Sequence, residues 1–118
     1  MAIDLTIKRG DNRPPVVTQL LDENGDPIAS GSITSVKFIC KRIDESNGRL
    51  VPHVEQDASF VSTGVYQYQW SEGETDLIGV YVMEWEVKYT DNTVRTFPTN
   101  GYNMMRIVPD LGGEVPAA

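Results

Sequence analysis

Few side chains in this sequence could carry out acid–base, nucleophilic or metal chemistry. His53 is the only histidine and Cys40 the only cysteine in 118 residues, so neither a paired-histidine metal site nor an internal disulfide can form. A serine–histidine–aspartate triad would need His53, which follows Pro52 in a polar stretch typical of a solvated strand. Cys40 ends an apolar segment, where a small buried thiol is expected. We therefore predict no catalytic residue, no metal ligand and no cofactor, and expect a protein that is not an enzyme.

Acidic side chains are abundant but lack partners for catalysis. The sequence has 17 Asp and Glu against 10 Lys and Arg, a formal charge of -7. Carboxylates cluster in residues 22–26 and 72–76, and their polar neighbours indicate solvated turns. The first cluster has the spacing that opens a calcium loop, but Pro27 and Ile33 stand where that loop needs a glycine and a bidentate glutamate. An acidic surface also repels phosphates and anionic lipid, so we expect no nucleic-acid or membrane partner.

Most aromatic side chains are expected to lie in the core, but three of them share a face that could serve as a surface. Tyr66, Tyr68 and Trp70 alternate along one segment and so share one face of a strand. If that face is exposed it forms a partner-binding surface, because Tyr and Trp are enriched at interface hot spots. Stacking on a sugar is the alternative function of such a face. Asp110 and Leu111, where the C-terminal segment begins, are further expected partner contacts.

The elements that position these residues follow a two-residue period. Alternation of apolar and polar side chains predicts eight strands. They cover residues 3–8, 16–21, 33–43, 50–60, 65–70, 80–90, 94–98 and 103–108. Turn-forming residues separate the strands, and the one helix-like start, at Ser71 and Glu74, is limited to about one turn. We predict an all-β fold, an antiparallel immunoglobulin-like β-sandwich of about seven to eight strands, with a closed barrel as the alternative.

The spacing of Asp76, Gly79 and Tyr81 adds detail to the predicted immunoglobulin-like fold. Many immunoglobulin-like domains have a tyrosine just inside a late strand whose hydroxyl returns to the preceding corner. Here Gly79 lies two residues before Tyr81, and Asp76 precedes both, one position further back than in antibody domains. We predict that these three residues form a structural corner. Residues 80–90 should then be the central strand of the core.

Chain length predicts a single domain. We assign residues 1–110 to one β-sandwich domain. Residues 111–118, rich in Gly and Pro and without periodicity, are predicted to form a flexible C-terminal tail. The sequence shows neither a secretory signal nor a run of ~20 apolar residues, so we expect a soluble protein made in the cytoplasm.

Several short motifs, taken in order along the chain, resemble a known family. They are Ile7-Lys8-Arg9-Gly10-Asp11 with Pro14-Pro15, residues 19–27, Val36-Lys37-Phe38, Tyr66-x-Tyr68-x-Trp70, Glu74-Thr75-Asp76, Gly79-x-Tyr81-x-x-Glu84-x-x-Val87, Thr96-Phe97-Pro98, Gly101-Tyr102 and Ile107-Val108. Together they resemble the immunoglobulin-like domain of the tailed-phage baseplate upper protein family and of related small phage structural proteins. The resemblance extends over residues 3–111.

This resemblance implies a non-enzymatic role in virus assembly. We expect a phage virion structural protein, made in the host cytoplasm, that binds a larger structural protein of the tail, baseplate or neck and is incorporated in many copies. Two alternatives remain open: a head-decoration protein bound to the capsid lattice, and a receptor- or carbohydrate-binding module for host attachment. Pairing of edge strands between copies would give a homo-oligomer.

Overall fold

A computed structural model describes residues 3–111 of the chain. This part contains nine strands and one short 3-10 turn at Ser30–Ser32. The strands are β1 (Leu5–Lys8), β2 (Val16–Gln19), β3 (Ile33–Ile43), β4 (Leu50–Asp57), β5 (Ser59–Ser62), β6 (Val65–Tyr68), β7 (Gly79–Tyr89), β8 (Val94–Phe97) and β9 (Asn103–Val108). The predicted all-β fold is confirmed. Within the described part, no helix has the length and apolar character needed to cross a membrane.

The strands form two sheets that pack as a sandwich. The larger sheet has the order β1-β9-β7-β3-β4, with β8 also pairing with β7, and the smaller sheet has the order β2-β6-β5. Strand pairs are antiparallel except for β1 and β9, which run parallel. This arrangement is compatible with an immunoglobulin-like fold, with one parallel pair added to the predicted antiparallel pattern.

β7 lies at the centre of the larger sheet and supplies much of the core. It pairs with β3 on one side and with β8 and β9 on the other. Tyr81, Met83, Trp85 and Val87 point inward and are buried, as the alternation predicts for the central strand. The ring of Trp85 lies 4.8 Å from that of Phe38 on β3, between ring centroids. The long strands of the larger sheet therefore share one aromatic core.

One predicted strand is in fact two. The sequence predicts a strand over residues 50–60, whereas β4 ends at Asp57 and β5 begins at Ser59. Between them Ala58 donates its backbone N–H to the carbonyl of Val36, 2.8 Å away. The chain then leaves the larger sheet and joins the smaller one. An apolar–polar period does not show such a change of sheet, because both strands keep the same alternation.

The predicted tail falls mostly beyond the described residues. Leu111, its first residue, is fully exposed. Residues 112–118 lie outside the described part of the chain.

Candidate functional site

Cys40 lies on the inward face of β3, in the middle of the core. It is fully buried, and its neighbours across the sheet are Met83 on β7 and Val54 on β4. Burial, with a smaller contribution from the negative charge of Glu74, raises the pKa of the thiol to about 12. Because the thiolate is the reactive form of cysteine, this thiol is inert at neutral pH.

His53 is turned toward the protein interior by a β-bulge. The register between β3 and β4 shifts after Cys40, and His53 is the extra residue on β4. As a result His53 is half-buried although it directly precedes the buried Val54. Its Nε2 donates to the backbone carbonyl of Glu74 at 2.6 Å, and its ring lies 4.9 Å from that of Tyr81. His53 lies in a strand, as predicted, but it is half-buried and not fully solvated, because the bulge turns it toward the interior.

Glu74 connects the corner after β6 to the end of that strand. Its carboxylate accepts the hydroxyl of Tyr68 at 2.7 and 3.0 Å and the backbone N–H of Ser71 at 2.7 Å. The Ser71 bond is one half of the predicted capping box, although the segment forms turns and no helix. Burial, followed by the bond to Glu74, raises the pKa of Tyr68 to about 12. Glu72 and Asp76 are exposed as predicted, whereas Glu74 is not a solvated surface acid.

The predicted corner forms around Tyr81. Its hydroxyl donates to the backbone carbonyl of Leu77 at 2.5 Å, and burial raises its pKa to about 12. Gly79 begins β7 beside Arg42, whose Cδ would lie 3.6 Å from a Cβ at that position. Asp76 has an exposed side chain and contributes a backbone N–H to the turn. The hydroxyl of Tyr81 thus fixes the corner.

These residues form an interior polar cluster, which we define as Cys40, His53, Tyr68, Glu74 and Tyr81. An open depression of about 370 Å³ beside the bulge is lined by Cys40 and His53. The thiol is protonated at neutral pH, and the Nε2 atom of His53 is engaged by a backbone carbonyl. The hydrogen bonds of the cluster join β4, the end of β6 and the corner before β7. The cluster therefore has a structural role, in which its hydrogen bonds connect the two sheets.

Tyr66, Tyr68 and Trp70 share one face, but that face is buried. Their exposed fractions are 7%, 6% and 3%. Tyr68 stacks on Phe38 of the larger sheet with ring centroids 4.8 Å apart, and Trp70 meets the same ring edge-on at 5.8 Å. The three residues therefore belong to the core, and the exposed face that a partner-binding surface would require is not present at these positions. The smaller sheet uses its aromatic face to cover the larger sheet.

The two expected contacts near the C-terminus differ in their surroundings. Asp110 forms an ion pair with Arg9, with 2.8 Å between Oδ1 and Nη2. This pair ties the chain after β9 to the turn after β1, so the carboxylate is already engaged within the protein. Leu111 is fully exposed and available for contact.

The surface best suited to protein contact was missed by the sequence analysis. It is the smaller sheet, β2, β5 and β6, which we call the uncharged sheet because its strands contain no Asp, Glu, Lys or Arg. Val17 on its outer face is 57% exposed, and Phe60 and Val61 at its β5 edge are 55% and 48% exposed. A signal was present, since the longest run of the sequence without a charge, residues 58–71, contains both β5 and β6.

The outer surface of the larger sheet is different, because charges of both signs cross it. Lys37 on β3 lies opposite Glu86 on β7, and Ile39 lies opposite Glu84. The exposed Val94 on β8 directly precedes Arg95. Single apolar residues among charges are ordinary for a soluble surface. The uncharged sheet is therefore the exception.

The described residues offer no metal centre. Within residues 3–111, no group of three or more His, Cys, Asp or Glu side chains could hold a metal ion. In the loop that resembles a calcium site, Asp22 Oδ1 accepts the backbone N–H groups of Asn24 and Asp26 at 2.9 and 3.0 Å. That carboxylate closes a turn, as the sequence predicts. No protein-family model matches the chain, and no curated protein matches it.

Proposed function

We propose that this protein is a non-enzymatic assembly module of a tailed-phage particle, which binds a larger structural protein of the tail, baseplate or neck. The observation that carries the proposal is the uncharged sheet. Its outer face exposes Val17 on β2 beside Gln67 on β6. The centres of protein interfaces are depleted of charged residues in the same way.

The interior polar cluster supports a role that uses surfaces and no chemical step. Its thiol is buried and protonated, and its histidine and glutamate are hydrogen-bonded to the protein itself. These contacts connect the two sheets through the corner after β6. A rigid sandwich is what an assembly module needs to present a flat face to a partner without paying for rearrangement.

Charge supports the same role. Within residues 3–111 the acids lie at turns and on the larger sheet, and the formal charge of -7 keeps free copies soluble before assembly. Because the uncharged sheet carries none of this charge, contact there does not require desolvation of an ion. The acidic surface therefore keeps the free protein soluble, and the uncharged sheet is the face that binds the partner.

Incorporation into particles is the direct test. Peptides of this chain are quantified by mass spectrometry in purified phage particles, relative to a major structural protein. We expect a fixed ratio that corresponds to many copies per particle. A chain found in the infected cell and absent from particles would contradict the proposal.

A pair of variants tests the docking face itself. Val17→Lys puts a charge on the outer face of the uncharged sheet, and Val94→Lys puts one on β8, where the native side chain is equally exposed at 56%. When each variant is the sole copy supplied during infection, we expect Val17→Lys to be lost from particles and Val94→Lys to be retained. Equal retention of both would place the contact elsewhere.

The position in the particle separates the tail, baseplate or neck from a head-decoration protein on the capsid lattice. Immunogold labelling of intact particles distinguishes these sites, and we expect label on the tail or neck. The receptor- or carbohydrate-binding alternative has less support, because both tryptophans, Trp70 and Trp85, are buried. A sugar-stacking platform would need such rings at the surface.

A further inference from the structure

β5 is a sheet edge that contains neither the charges nor the prolines that guard many natural edges. It pairs with β6 on one side, and no described strand lies on its other side. The backbone N–H and C=O groups of that outer edge are therefore free to bind another strand. Natural edges are commonly guarded by lysine, proline or inward-pointing charge. The sequence of β5, Ser-Phe-Val-Ser, contains none of these.

The other edge strands are guarded. β1 ends in Lys8, and β4 contains Pro52 together with Glu55 and Asp57. β8 contains Arg95. β2, the opposite edge of the smaller sheet, has no charge or proline within it, but it begins directly after Pro14-Pro15. The contrast singles out β5 as the edge most able to accept a strand.

The side chains of β5 are also incompletely covered. Phe60 lies opposite Tyr66 and meets its ring edge-on at 5.7 Å, yet Phe60 remains 55% exposed. The register with β6 shifts between Phe60 and Ser62, so Val61 is an extra residue that projects from the edge. An added strand would cover the open part of the Phe60 ring and extend the aromatic core by one position.

We infer that the occupant of this edge is a second copy of the chain, with its own β5 paired antiparallel about a two-fold axis. The joined sheet then has the order β2-β6-β5-β5-β6-β2, with guarded β2 strands at both outer edges. Such an interface uses the same surface on each copy, so the assembly closes at two. This inference goes beyond the proposed function, because the larger partner was placed on the face of the uncharged sheet and not on its edge.

Charge favours a second copy over another occupant. Two chains of charge -7 repel each other wherever their acidic surfaces meet. No residue of β5 is charged, so self-association at this edge meets less of this repulsion than contact between the acidic surfaces would. A basic partner would be drawn instead to the acidic turns and the larger sheet. β5 is four residues long, so the pairing is expected to be weak and concentration-dependent.

Sedimentation velocity of the purified full chain tests the dimer. We expect a concentration-dependent equilibrium between a 13.1 kDa species and one of twice that mass. Added salt should increase the dimer fraction, because it screens repulsion between the acidic surfaces. A chain that stays monomeric up to about 1 mM, the weak limit for specific association, would overturn the inference.

Matched variants locate the contact. Phe60→Lys guards the β5 edge with a charge, and we expect it to abolish the dimer, whereas Val94→Lys, equally exposed on β8, should dimerise like the wild type. If circular dichroism shows that Phe60→Lys is unfolded, Val61→Lys takes its place. Hydrogen exchange of the wild type provides a further readout, since amides of residues 59–62 should gain protection as concentration rises. Full dimerisation of a folded β5 variant, or loss of the dimer in Val94→Lys, would overturn the inference.

The outcomes also separate this inference from the proposed function. Dimerisation is measured on the isolated protein, whereas incorporation is measured in particles. A dimer that is absent from particles supports the β5 contact alone. If the protein is monomeric but is retained in particles, the proposed function is supported and the homodimer is overturned. The same conclusion holds if the β5 edge binds a strand of another protein.

Discussion

The imidazole of His53 donates through Nε2 to the backbone carbonyl of Glu74, 2.6 Å away. The bond joins β4 of the larger sheet to the corner that follows the smaller sheet. Because a carbonyl oxygen only accepts, Nε2 carries a proton whether the ring is neutral or charged. The single histidine of the sequence therefore helps to connect the two sheets. The β-bulge in β4 turns its side chain toward the carbonyl of Glu74.

Removing this donor should destabilise the fold. His53→Phe keeps a ring against Tyr81 but leaves the carbonyl of Glu74 without the imidazole donor. The residue is half-buried, so water can replace part of the bond, and we expect a loss of about 1 kcal/mol in the free energy of unfolding. Urea denaturation at neutral pH measures it. A midpoint equal to that of the wild type would show that the bond contributes nothing.

Removing the corner hydrogen bond of Tyr81 should destabilise the fold to a similar extent. Tyr81→Phe removes the hydroxyl that donates to the carbonyl of Leu77 and keeps the buried ring. We expect a loss of about 1 kcal/mol, because a partly buried hydrogen bond is lost. Tyr89→Phe is the matched control on the same strand, since Tyr89 is only partly buried. Equal effects of the two substitutions would contradict a special role for the corner.

Much of the fold could be predicted from alternation alone. The central position of Trp85 and its neighbours follows from a period of two over eleven residues, and β3 is predicted on the same ground. A long strand averages out local irregularities, so its pattern is dependable. The corner at Tyr81 was predictable because its residue spacing is fixed by backbone geometry.

The site was harder to predict, for identifiable physical reasons. The bulge at His53 inserts one residue without any change in composition, so the sequence gives no warning of it. Alternation shows that Tyr66 and Trp70 share a face, but whether that face is covered depends on the position of Phe38 in the other sheet. β5 was not predicted as a separate strand, because the alternation continues where the chain changes sheets at Ala58. Each of these features depends on contacts between distant segments.

The interior polar cluster should make the protein sensitive to alkali. The pKa values of Cys40, Tyr68 and Tyr81 are each raised to about 12 in the folded state, chiefly by burial. A raised pKa means that the folded state holds its proton more tightly than the unfolded state does. The stability from these groups is therefore complete below the unfolded pKa and is lost as pH rises to about 12.

The onset of this loss identifies the groups. The ordinary pKa is 9.0 for Cys40 and 10.0 for the tyrosines, so the free energy of unfolding should begin to fall near pH 9 in the wild type. In Cys40→Ala the decline should begin near pH 10. Urea titrations at pH 7 to 11 measure both onsets. Coincident profiles for the two proteins would show that the thiol is not the group that titrates first.

Glycine at position 64 should be required by the close approach of the β5–β6 turn to the loop after β2. Gly64 has a φ of 74°, and a Cβ there would lie 2.8 Å from Cβ of Pro27 and 3.1 Å from the carbonyl oxygen of Leu20. Gly25 has a similar φ of 82°, but a Cβ there would meet nothing within 4 Å. Gly25→Ala should therefore cost about 1 kcal/mol of backbone strain.

Gly64→Ala adds a steric clash to the same strain. Neither the backbone of Leu20 nor the ring of Pro27 can move aside easily, because Leu20 is fully buried and its N–H donates to the carbonyl of Gly64 at 2.6 Å. We expect a total loss of about 2–4 kcal/mol, the range of an overpacked contact added to a strained φ. Chemical denaturation of both variants gives the comparison. If Gly64→Ala is no less stable than Gly25→Ala, the β5–β6 turn can move away from Pro27 and Leu20. The close approach at Gly64 would then not fix the position of β5 beside β6.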